Sequence, residues 1–341
     1  MTVKDSLQSS REQSKPWVET PLRESYALSK AAGCRIFLKL ENLQPSGSFK
    51  SRGIGNYLLR RLEELPSLPN APQPHIFSSS GGNAGLAAVH ASLTLSLPCT
   101  VVVPLSTKPL MINKLRAAGA HAVVQHGATW QDADAYLRTE VMPQAGKAGI
   151  YAPPFDHPDI WAGNSTMVRE MVEQMPGDGK IDVVVCSVGG GGLLNGVCQG
   201  LDALSVEETT VLAVETEGAA SLNASVQAGE LVTLPGITSQ ATSLGAVRVT
   251  GRSFENGMRP NVRPVVLSDG EAAMACWRLA DDERIMVELA CGVNVALCYD
   301  GRLERALGRP VRPHEKVVIV LCGGSNVTVD MLSGWREEFG F

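Results

Sequence analysis

The chain has 341 residues, of which 44% are hydrophobic and 19% are charged, and its formal net charge is −5. This length and hydrophobic content allow one or two large buried cores and exclude a globally disordered chain. The acidic balance, without any cluster of Lys and Arg, argues against a nucleic-acid partner.

The N-terminal segment, MTVKDSLQSSREQSK, is polar and contains acidic as well as basic residues. It lacks the apolar centre of a secretory signal and the acid-poor composition of a transit peptide. No later apolar run approaches the length needed to cross a membrane, so no membrane partner is expected. Eight cysteines are scattered without a CxxC pair. We therefore expect neither a metal nor a disulfide framework, and a cytoplasmic location.

Short β-branched runs alternate with helical patterns along most of the chain. The runs predicted as strands are CRIFLKLE (34–41), HIFSS (75–79), CTVVVP (99–104), AHAVVQ (120–125), IDVVVCSV (181–188), TVLAVE (210–215) and EKVVIVL (315–321). Residues 51–65 and 84–95 carry apolar residues at helical spacing and are predicted as helices. Because the strands are continuously apolar, we expect parallel sheets covered by helices on both faces.

Two Pro-rich stretches interrupt this pattern. The first, ELPSLPNAPQPH (64–75), lies between a predicted helix and a predicted strand and is interpreted as a surface connection. The second, YAPPFDHPD (151–159), is a sharper break and is predicted to be a crossing between two domains.

The motif PSGSFKSRG (45–53) places Lys50 at the beginning of a predicted helix. The positive end of the helix dipole disfavours a charged amine, so a lowered lysine pKa is expected there. An imine-forming nucleophile requires such a lysine. Taken alone, however, the spacing favours a solvated lysine before an ordinary helix.

Two loops have the composition of anion sites. SSSGGNAG (78–85) and SVGGGGLLNG (187–196) each follow a predicted strand and precede a helix, whose free N–H groups can bind a carboxylate or a phosphate. The first is equally well explained as a capped turn. The four glycines of the second are costly to order, so they predict a phosphate cradle. Their spacing fits neither a dinucleotide fingerprint nor a P-loop, although Glu215 after the next strand leaves a dehydrogenase as an alternative.

The last motif, VVIVLCGGSN (317–326), brings Cys322 and two glycines to the end of a buried strand. Most buried cysteines are small core residues, and that interpretation holds here as well. A thiol at this position can instead donate a weak hydrogen bond to a ligand.

In this order, the motifs resemble those of the serine/threonine dehydratase family of fold-type II pyridoxal-phosphate enzymes. The likeness extends from ETPL (19–22) to LCGGSN and includes PPFDHPDIWAG (153–163), VTLPGITS (232–239), SLGA (243–246) and DDERIMVELACG (281–292). It implies an α/β fold of two open, mostly parallel twisted sheets covered by helices. It also implies a large cofactor-binding domain (1–44 and 155–341), a small substrate-loop domain (45–154) and a homodimer. The motifs look most like those of eukaryotic L-serine dehydratases, which lack a regulatory domain, so allosteric feedback is not expected.

The resemblance also implies a role for each motif residue. The residues implied to hold pyridoxal 5'-phosphate are Lys50 as a Schiff base, Phe49 against the ring, Asn83 at the ring hydroxyl, Gly189, Gly190, Gly191 and Gly192 at the phosphate, and Cys322 at the ring nitrogen. The residues implied to bind the amino-acid substrate are Ser79, Ser80, Gly81 and Asn83. The residues implied to form a monovalent-cation site for K⁺ are Glu215, Ala219, Leu244 and Ala246. That last assignment displaces the dehydrogenase interpretation of Glu215.

The activity implied by the resemblance is β-elimination of water from L-serine, and from L-threonine, in amino-acid catabolism. The products are pyruvate or 2-oxobutanoate, and ammonia. A thiol is a poor proton source for a pyridine nitrogen, so the ring stays uncharged, which suits elimination. The freed Lys50 amine is expected to take the α-proton.

Two departures from the family pattern bear on the substrate. Gly81 stands where many members have Ala or another small residue, and we expect it to leave more room near the substrate. Leu289 replaces the usual proline in VELACG, and the loss of a fixed φ is expected to loosen that loop.

Three alternatives stay open. One is a β-replacement enzyme such as a cysteine synthase, although its phosphate loop usually carries Thr among the glycines. Another is elimination from a different, specialised hydroxyamino acid. A cofactor-binding protein without catalysis is the third, and intact Lys50, Asn83 and Cys322 argue against it.

Overall fold

The computed structural model describes residues 15–65, 72–206 and 208–341. The N-terminal segment up to residue 14 and half of the first Pro-rich stretch, residues 66–71, therefore lie outside the described residues.

The chain divides into two compact units. The larger unit comprises the described residues of Glu19–Phe49 and Phe155–Phe341, and the smaller comprises those of Lys50–Pro154 together with residues 15–18. The divisions fall at 18/19, 49/50 and 154/155, whereas the sequence predicted 44/45 and 154/155, so residues 15–18 and 45–49 group with the other unit than predicted. Phe49 belongs with the larger unit because its N–H donates to the carbonyl oxygen of Cys322 at 3.1 Å. The roles predicted for the two domains stay predictions.

The described residues contain the following regular elements. The strands are β1 (Leu22–Ser25), β2 (Arg35–Lys39), β3 (His75–Ser78), β4 (Cys99–Val103), β5 (Ala122–Gln125), β6 (Gly149–Tyr151), β7 (Val183–Ser187), β8 (Thr210–Thr216), β9 (Val262–Leu267) and β10 (Lys316–Val320). The α-helices are Tyr26–Ala32, Lys50–Glu64, Asn83–Thr94, Pro109–Ala117, Trp130–Tyr136, Pro158–Gln174, Gly192–Ala203, Ser221–Ala228, Gly251–Gly257, Asp269–Glu283, Leu289–Ala296, Arg302–Leu307 and Val329–Phe339. Shorter turns of 3₁₀ or π type are Glu41–Leu43, Leu137–Val141, Met142–Ala148 and Thr242–Leu244.

The larger unit is built on a six-stranded sheet with the order β1-β2-β10-β7-β8-β9. Only the pairing of β1 with β2 is antiparallel, and all other neighbours are parallel. Every residue of Val183–Ser187 is buried. Because successive side chains of a strand point to opposite faces, this burial requires a cover on both faces. The prediction of parallel strands covered on both sides is confirmed.

The smaller unit contains a four-stranded parallel sheet with the order β5-β4-β3-β6. Its core includes Phe77 and Val102 from the strands and Ala133 and Leu137 from the helical segment above them. Ala133 and Leu137 are both fully buried, so this segment is fixed against the sheet. The two sheets, one parallel and one mostly parallel, confirm the predicted fold class.

Three strands were not predicted, and all three lie at sheet edges. β1 has four residues and β6 has three, which is too short for a clear hydrophobic pattern. β9 contains Pro264, which lacks a backbone N–H and is tolerated at an edge.

Leu289, which was expected to loosen its loop, belongs to a helix, and the loosening itself stays a prediction. It is the first residue of the helix Leu289–Ala296 and is 2% exposed. Its side chain therefore packs in the core and holds the start of that helix in place.

Among the helices of the described residues, none has the length and hydropathy required to span a bilayer.

Candidate active site

Three motif-bearing loops of the larger unit follow neighbouring strands. β2, β10 and β7 are adjacent and parallel, so the loops after them emerge at the same edge of the sheet. The N–H of Phe49 donates to Cys322 O (3.1 Å), and the N–H of Gly324 donates to Gly47 O (2.9 Å). The segment before Lys50 is thus tied to the loop that carries Cys322.

The glycine loop, Gly189–Gly192, is closely packed from behind. A Cβ added to Gly190 would overlap the ring of Phe155, and a Cβ added to Gly191 would overlap the side chain of Ser253. Gly191 also has a φ of 94°, a conformation that L side chains rarely adopt. A Cβ on Gly192 would lie 2.8 Å from the carbonyl oxygen of Phe155. Side chains are therefore excluded by the packing of the protein itself.

The amide groups of the glycine loop can receive an anion. Three of its four carbonyl oxygens accept from donors behind the loop: Gly190 O from Thr250 N (3.1 Å), Gly191 O from Asn195 N (2.9 Å) and Gly192 O from Asn164 Nδ2 (2.9 Å). Within the described part of the chain, the four N–H groups of Gly189–Gly192 have no acceptor. Unpaired amides at the start of a helix attract negative charge, and this donor set fits the phosphate of pyridoxal 5'-phosphate.

A buried polar network supports the glycine loop. Asn195 Nδ2 donates to Thr250 Oγ1 (3.1 Å), while Asn195 Oδ1 accepts from Ser253 Oγ (3.0 Å) and Asn256 Nδ2 (3.0 Å). All four side chains are buried, so their hydrogen bonds fix a single arrangement. Sequence reasoning missed this network because Asn195 is 55 to 61 residues from its three partners and shares no local pattern with them.

Cys322 is a buried thiol at the end of β10, and it is 5% exposed. Its Sγ lies 3.5 Å from Ser187 Oγ and 3.8 Å from the carbonyl oxygen of Ala290. Ser187 ends β7, immediately before the glycine loop, so the two motifs are in contact. A neutral thiol is a weak donor that suits an uncharged ring nitrogen. Its role toward the cofactor stays a prediction.

Glu215, predicted at the cation site, is fully buried at the end of β8. Its Oε1 accepts from Leu222 N and its Oε2 accepts from Asn223 N, both at 2.8 Å. Burial raises the pKa of Glu215 to about 7, and the two amide hydrogen bonds oppose that rise. The carboxylate thus caps the helix Ser221–Ala228.

The other predicted cation residues lie in turns near this helix and the glycine loop. Ala219 N donates to Thr216 O (2.9 Å), and Leu244 O accepts from Ala246 N (2.7 Å). The Cα of Leu244 lies 3.1 Å from where a Cβ of Gly189 would stand, so this turn supports the glycine loop directly. The cation itself stays a prediction.

Lys50 and Asn83 belong to the smaller unit, where each is the first residue of a helix. The helices Lys50–Glu64 and Asn83–Thr94 pack against each other. Lys50 lies at the start of a helix, as predicted, and is partly exposed, whereas Asn83 is buried.

The substrate loop, residues 79–83, connects β3 to the second of these helices. The Ser80 N–H donates to Ser78 Oγ (3.4 Å), and the Gly82 N–H donates to Ser80 Oγ (3.3 Å). The Gly81 N–H has no acceptor within the described residues, so it is available to an anion.

The expectation that Gly81 leaves extra room needs a correction. A Cβ on Gly81 would lie 2.9 Å from Thr107 Cγ2 and 3.1 Å from Val103 Cγ1. The volume that a larger residue would occupy is therefore already filled by protein.

The hydroxyl of Ser79 is engaged inside the smaller unit. Ser79 Oγ donates to Asp134 Oδ1 (2.7 Å) and lies 3.1 Å from the hydroxyl of Tyr151. Asp134 and Tyr151 were not identified as site residues from the sequence. Asp134 is 55 residues from Ser79 and lies in no motif, and Tyr151 was noted only as the start of the second Pro-rich stretch.

Comparisons with known proteins identify the family of this chain. Residues 14–323 match the family model described as "Pyridoxal-phosphate dependent enzyme". The chain is 42% identical over 320 residues to the catabolic L-serine/threonine dehydratase of Saccharomyces cerevisiae, covering 91% of this chain and 88% of that protein. It is 40% identical over 328 residues to the serine dehydratase-like protein of Homo sapiens, covering 95% of each.

Solved structures show the same fold. The crystal structure of a fungal L-serine ammonia-lyase from Rhizomucor miehei matches with a TM-score of 0.86 and 35% identity, over 95% of this chain and 99% of that one. Threonine deaminase isoform 2 of Solanum lycopersicum matches with a TM-score of 0.80 and 26% identity, over 99% and 92%. The chain therefore belongs to the family of pyridoxal-phosphate dependent enzymes that includes the L-serine and L-threonine dehydratases.

Proposed function

We propose that this protein is a pyridoxal 5'-phosphate-dependent ammonia-lyase that removes water from L-serine and L-threonine. The products are pyruvate or 2-oxobutanoate, together with ammonia. One observation carries the proposal: four unpaired amides of the glycine loop lie next to a buried thiol at one sheet edge, in a chain related to dehydratases. That combination would provide a phosphate site and a neutral partner for a ring nitrogen.

The residues of this chain would hold the cofactor at four places. Lys50 Nζ would bind it covalently, the amides of Gly189–Gly192 would bind its phosphate, Asn83 would bind its ring hydroxyl, and Cys322 would face its ring nitrogen. Phe49 would lie against the ring. When bound, the cofactor withdraws electrons from the α-carbon of the substrate, so that its α-proton becomes removable.

The protein's own groups then carry the proton and orient the substrate. The Lys50 amine is the base that takes the α-proton, because an uncharged amine at that position is a proton acceptor. The amides of the substrate loop, including that of Gly81, hold the substrate carboxylate. The Cys322 thiol leaves the ring nitrogen uncharged, which suffices for elimination because the hydroxyl departs from the adjacent carbon.

The direct test is release of keto acid from L-serine and L-threonine by the purified holoenzyme. We expect both substrates to react, and a Lys50→Ala variant to lose the activity and the visible absorbance of the bound cofactor together. Release of pyruvate without added sulfide separates elimination from β-replacement. A protein that carries the cofactor but releases no keto acid from either substrate would refute the dehydratase assignment.

Three further properties are part of the proposal. A K⁺ ion at Glu215 and the turn of Leu244 would stabilise the glycine loop, which that turn contacts. A cytoplasmic location is supported by the eight cysteines, which are all described, buried and free of disulfides. The protein is proposed to act as a homodimer, which a sedimentation measurement on the holoenzyme would test.

A further inference from the structure

The acceptor of the Ser79 hydroxyl is a carboxylate that serves several donors. Asp134 Oδ1 accepts from Ser79 Oγ (2.7 Å) and from the Tyr151 hydroxyl (2.6 Å). Asp134 Oδ2 accepts from Arg138 Nε (2.9 Å), one helical turn further along the chain. With both hydroxyl protons directed to one oxygen, the Ser79 side chain has a single orientation.

The carboxylate is firmly positioned from both sides. Its neighbours in the helical segment, Ala133 and Leu137, are fully buried against the sheet. The guanidinium of Arg138 lies 3.7 Å from the centre of the Tyr151 ring, so it stacks on the ring and balances the charge of Asp134. Burial, and next the hydrogen bond to Asp134, raise the pKa of Tyr151, which keeps its hydroxyl protonated as a donor.

The contacts of Asp134 hold Ser79, which is the first residue of the substrate loop. Ser79 is 1% exposed and its hydroxyl is engaged, so the loop offers a ligand its backbone amides, such as that of Gly81. An anion site made of amides binds strongly when the amides are held in place before the ligand arrives. A fixed Ser79 provides that restraint at the strand end of the loop.

We propose that Asp134 is a positioning residue that sets the affinity for the substrate carboxylate by anchoring Ser79. Tyr151 and Arg138 hold the carboxylate of Asp134 itself in place. This inference rests on the proposed function, in which the substrate loop binds the carboxylate. It assigns no contact between Asp134 and the substrate. Disruption of the anchor weakens carboxylate binding and leaves the amine-binding side of the site intact.

The test uses the holoenzyme and two probes that cannot undergo elimination. L-Alanine has both an amine and a carboxylate, whereas ethylamine has the amine alone, and binding of each is followed by the change in cofactor absorbance. We expect Ser79→Ala and Asp134→Ala each to raise the Kd for L-alanine at least about tenfold, the value of a hydrogen bond to a charged group. The Kd for ethylamine stays within about twofold of the wild-type value, because no carboxylate is involved.

A double variant and a matched control complete the design. Since Ser79 and Asp134 act through one hydrogen bond, the double variant is expected to bind L-alanine no more weakly than the weaker-binding single variant does. Asp132→Ala is the control, because Asp132 caps the same helix through Thr129 but touches neither hydroxyl. It is expected to leave the Kd for L-alanine unchanged.

The outcomes separate this inference from the proposed function. Three results would each overturn the positioning role. The first is an equal rise in Kd for L-alanine and ethylamine, and the second is a double variant whose rise in Kd is the product of the two single ones. The third is an effect of Asp132→Ala as large as that of Asp134→Ala. A wild-type protein that does not bind L-alanine would overturn it too. Conversely, carboxylate-specific losses in a protein that releases no keto acid from serine would refute the dehydratase and leave the anchor standing.

Discussion

Substitution of Gly190 by alanine tests whether the glycine loop is held by the protein behind it. The added Cβ overlaps the ring of Phe155, and Phe155 cannot easily retreat. Its carbonyl accepts from Trp161 Nε1 at 2.9 Å, and its backbone is packed against Gly192. The loop must therefore shift, and overpacking of this kind costs about 1–3 kcal/mol. If that energy is lost from phosphate binding, the Kd for the cofactor rises about 5- to 150-fold.

The assay is titration of the apoprotein with pyridoxal 5'-phosphate, followed by the absorbance of the bound cofactor. The matched variant is Gly190→Ala combined with Phe155→Ala, which removes the ring that the new Cβ meets. We expect its affinity to return to within about threefold of Phe155→Ala alone, because the overlap is gone. Unchanged affinity in Gly190→Ala, or a double variant as weak as the single one, would show that the loop is not positioned by this contact.

Further measurements address the substrate loop, the cation and acid stability. Gly81→Ala is expected to raise the KM for serine about fivefold, because the new Cβ meets the methyl group of Thr107. Adding Thr107→Ser should restore most of the lost affinity, and a Gly81→Ala variant with the KM of the wild type would contradict this contact. Replacement of K⁺ by tetramethylammonium should weaken cofactor binding, because the turn of Leu244 supports the glycine loop; an affinity independent of the cation would rule this out. A hydrogen bond from Arg309 lowers the pKa of Glu315 below its ordinary value of 4.5. The stability it provides is therefore present above pH 4.5 and is lost as the pH falls through the lowered pKa. Glu315→Gln should lower the free energy of unfolding in urea by about 1 kcal/mol at pH 7 and by progressively less in acid. A difference between variant and wild type that does not change with pH would show that the charge of Glu315 does not stabilise the fold.

The sequence predicts those parts of the fold that depend on local patterns. The buried strands that lead to Ser187 and Cys322 were predicted from their apolar runs. The glycines that follow Ser187 were predicted to form an anion-binding loop. Lys50 at a helix start followed from the same kind of pattern, while its chemistry rested on the resemblance.

The contacts that fix the site in place could not be predicted in this way. Asp134 bonds Ser79 across 55 residues, and Ser253 bonds Asn195 across 58. Such pairs form only when strands far apart in the chain become neighbours, and neither partner belongs to a periodic pattern. The edge strand that contains Pro264 was missed for another reason, because proline is unusual within strands and weakens the prediction.

The packing behind the glycine loop has a consequence for the evolution of related chains. Because Phe155 and Ser253 fill the space that side chains would need, the loop keeps its glycines as long as the fold is kept, even in a descendant that no longer binds a cofactor. A run of glycines here thus reflects the packing of the fold as well as the binding of a ligand. Under the proposed function, selection for the reaction would act on Lys50, and a lineage that abandoned catalysis would be expected to change that residue first.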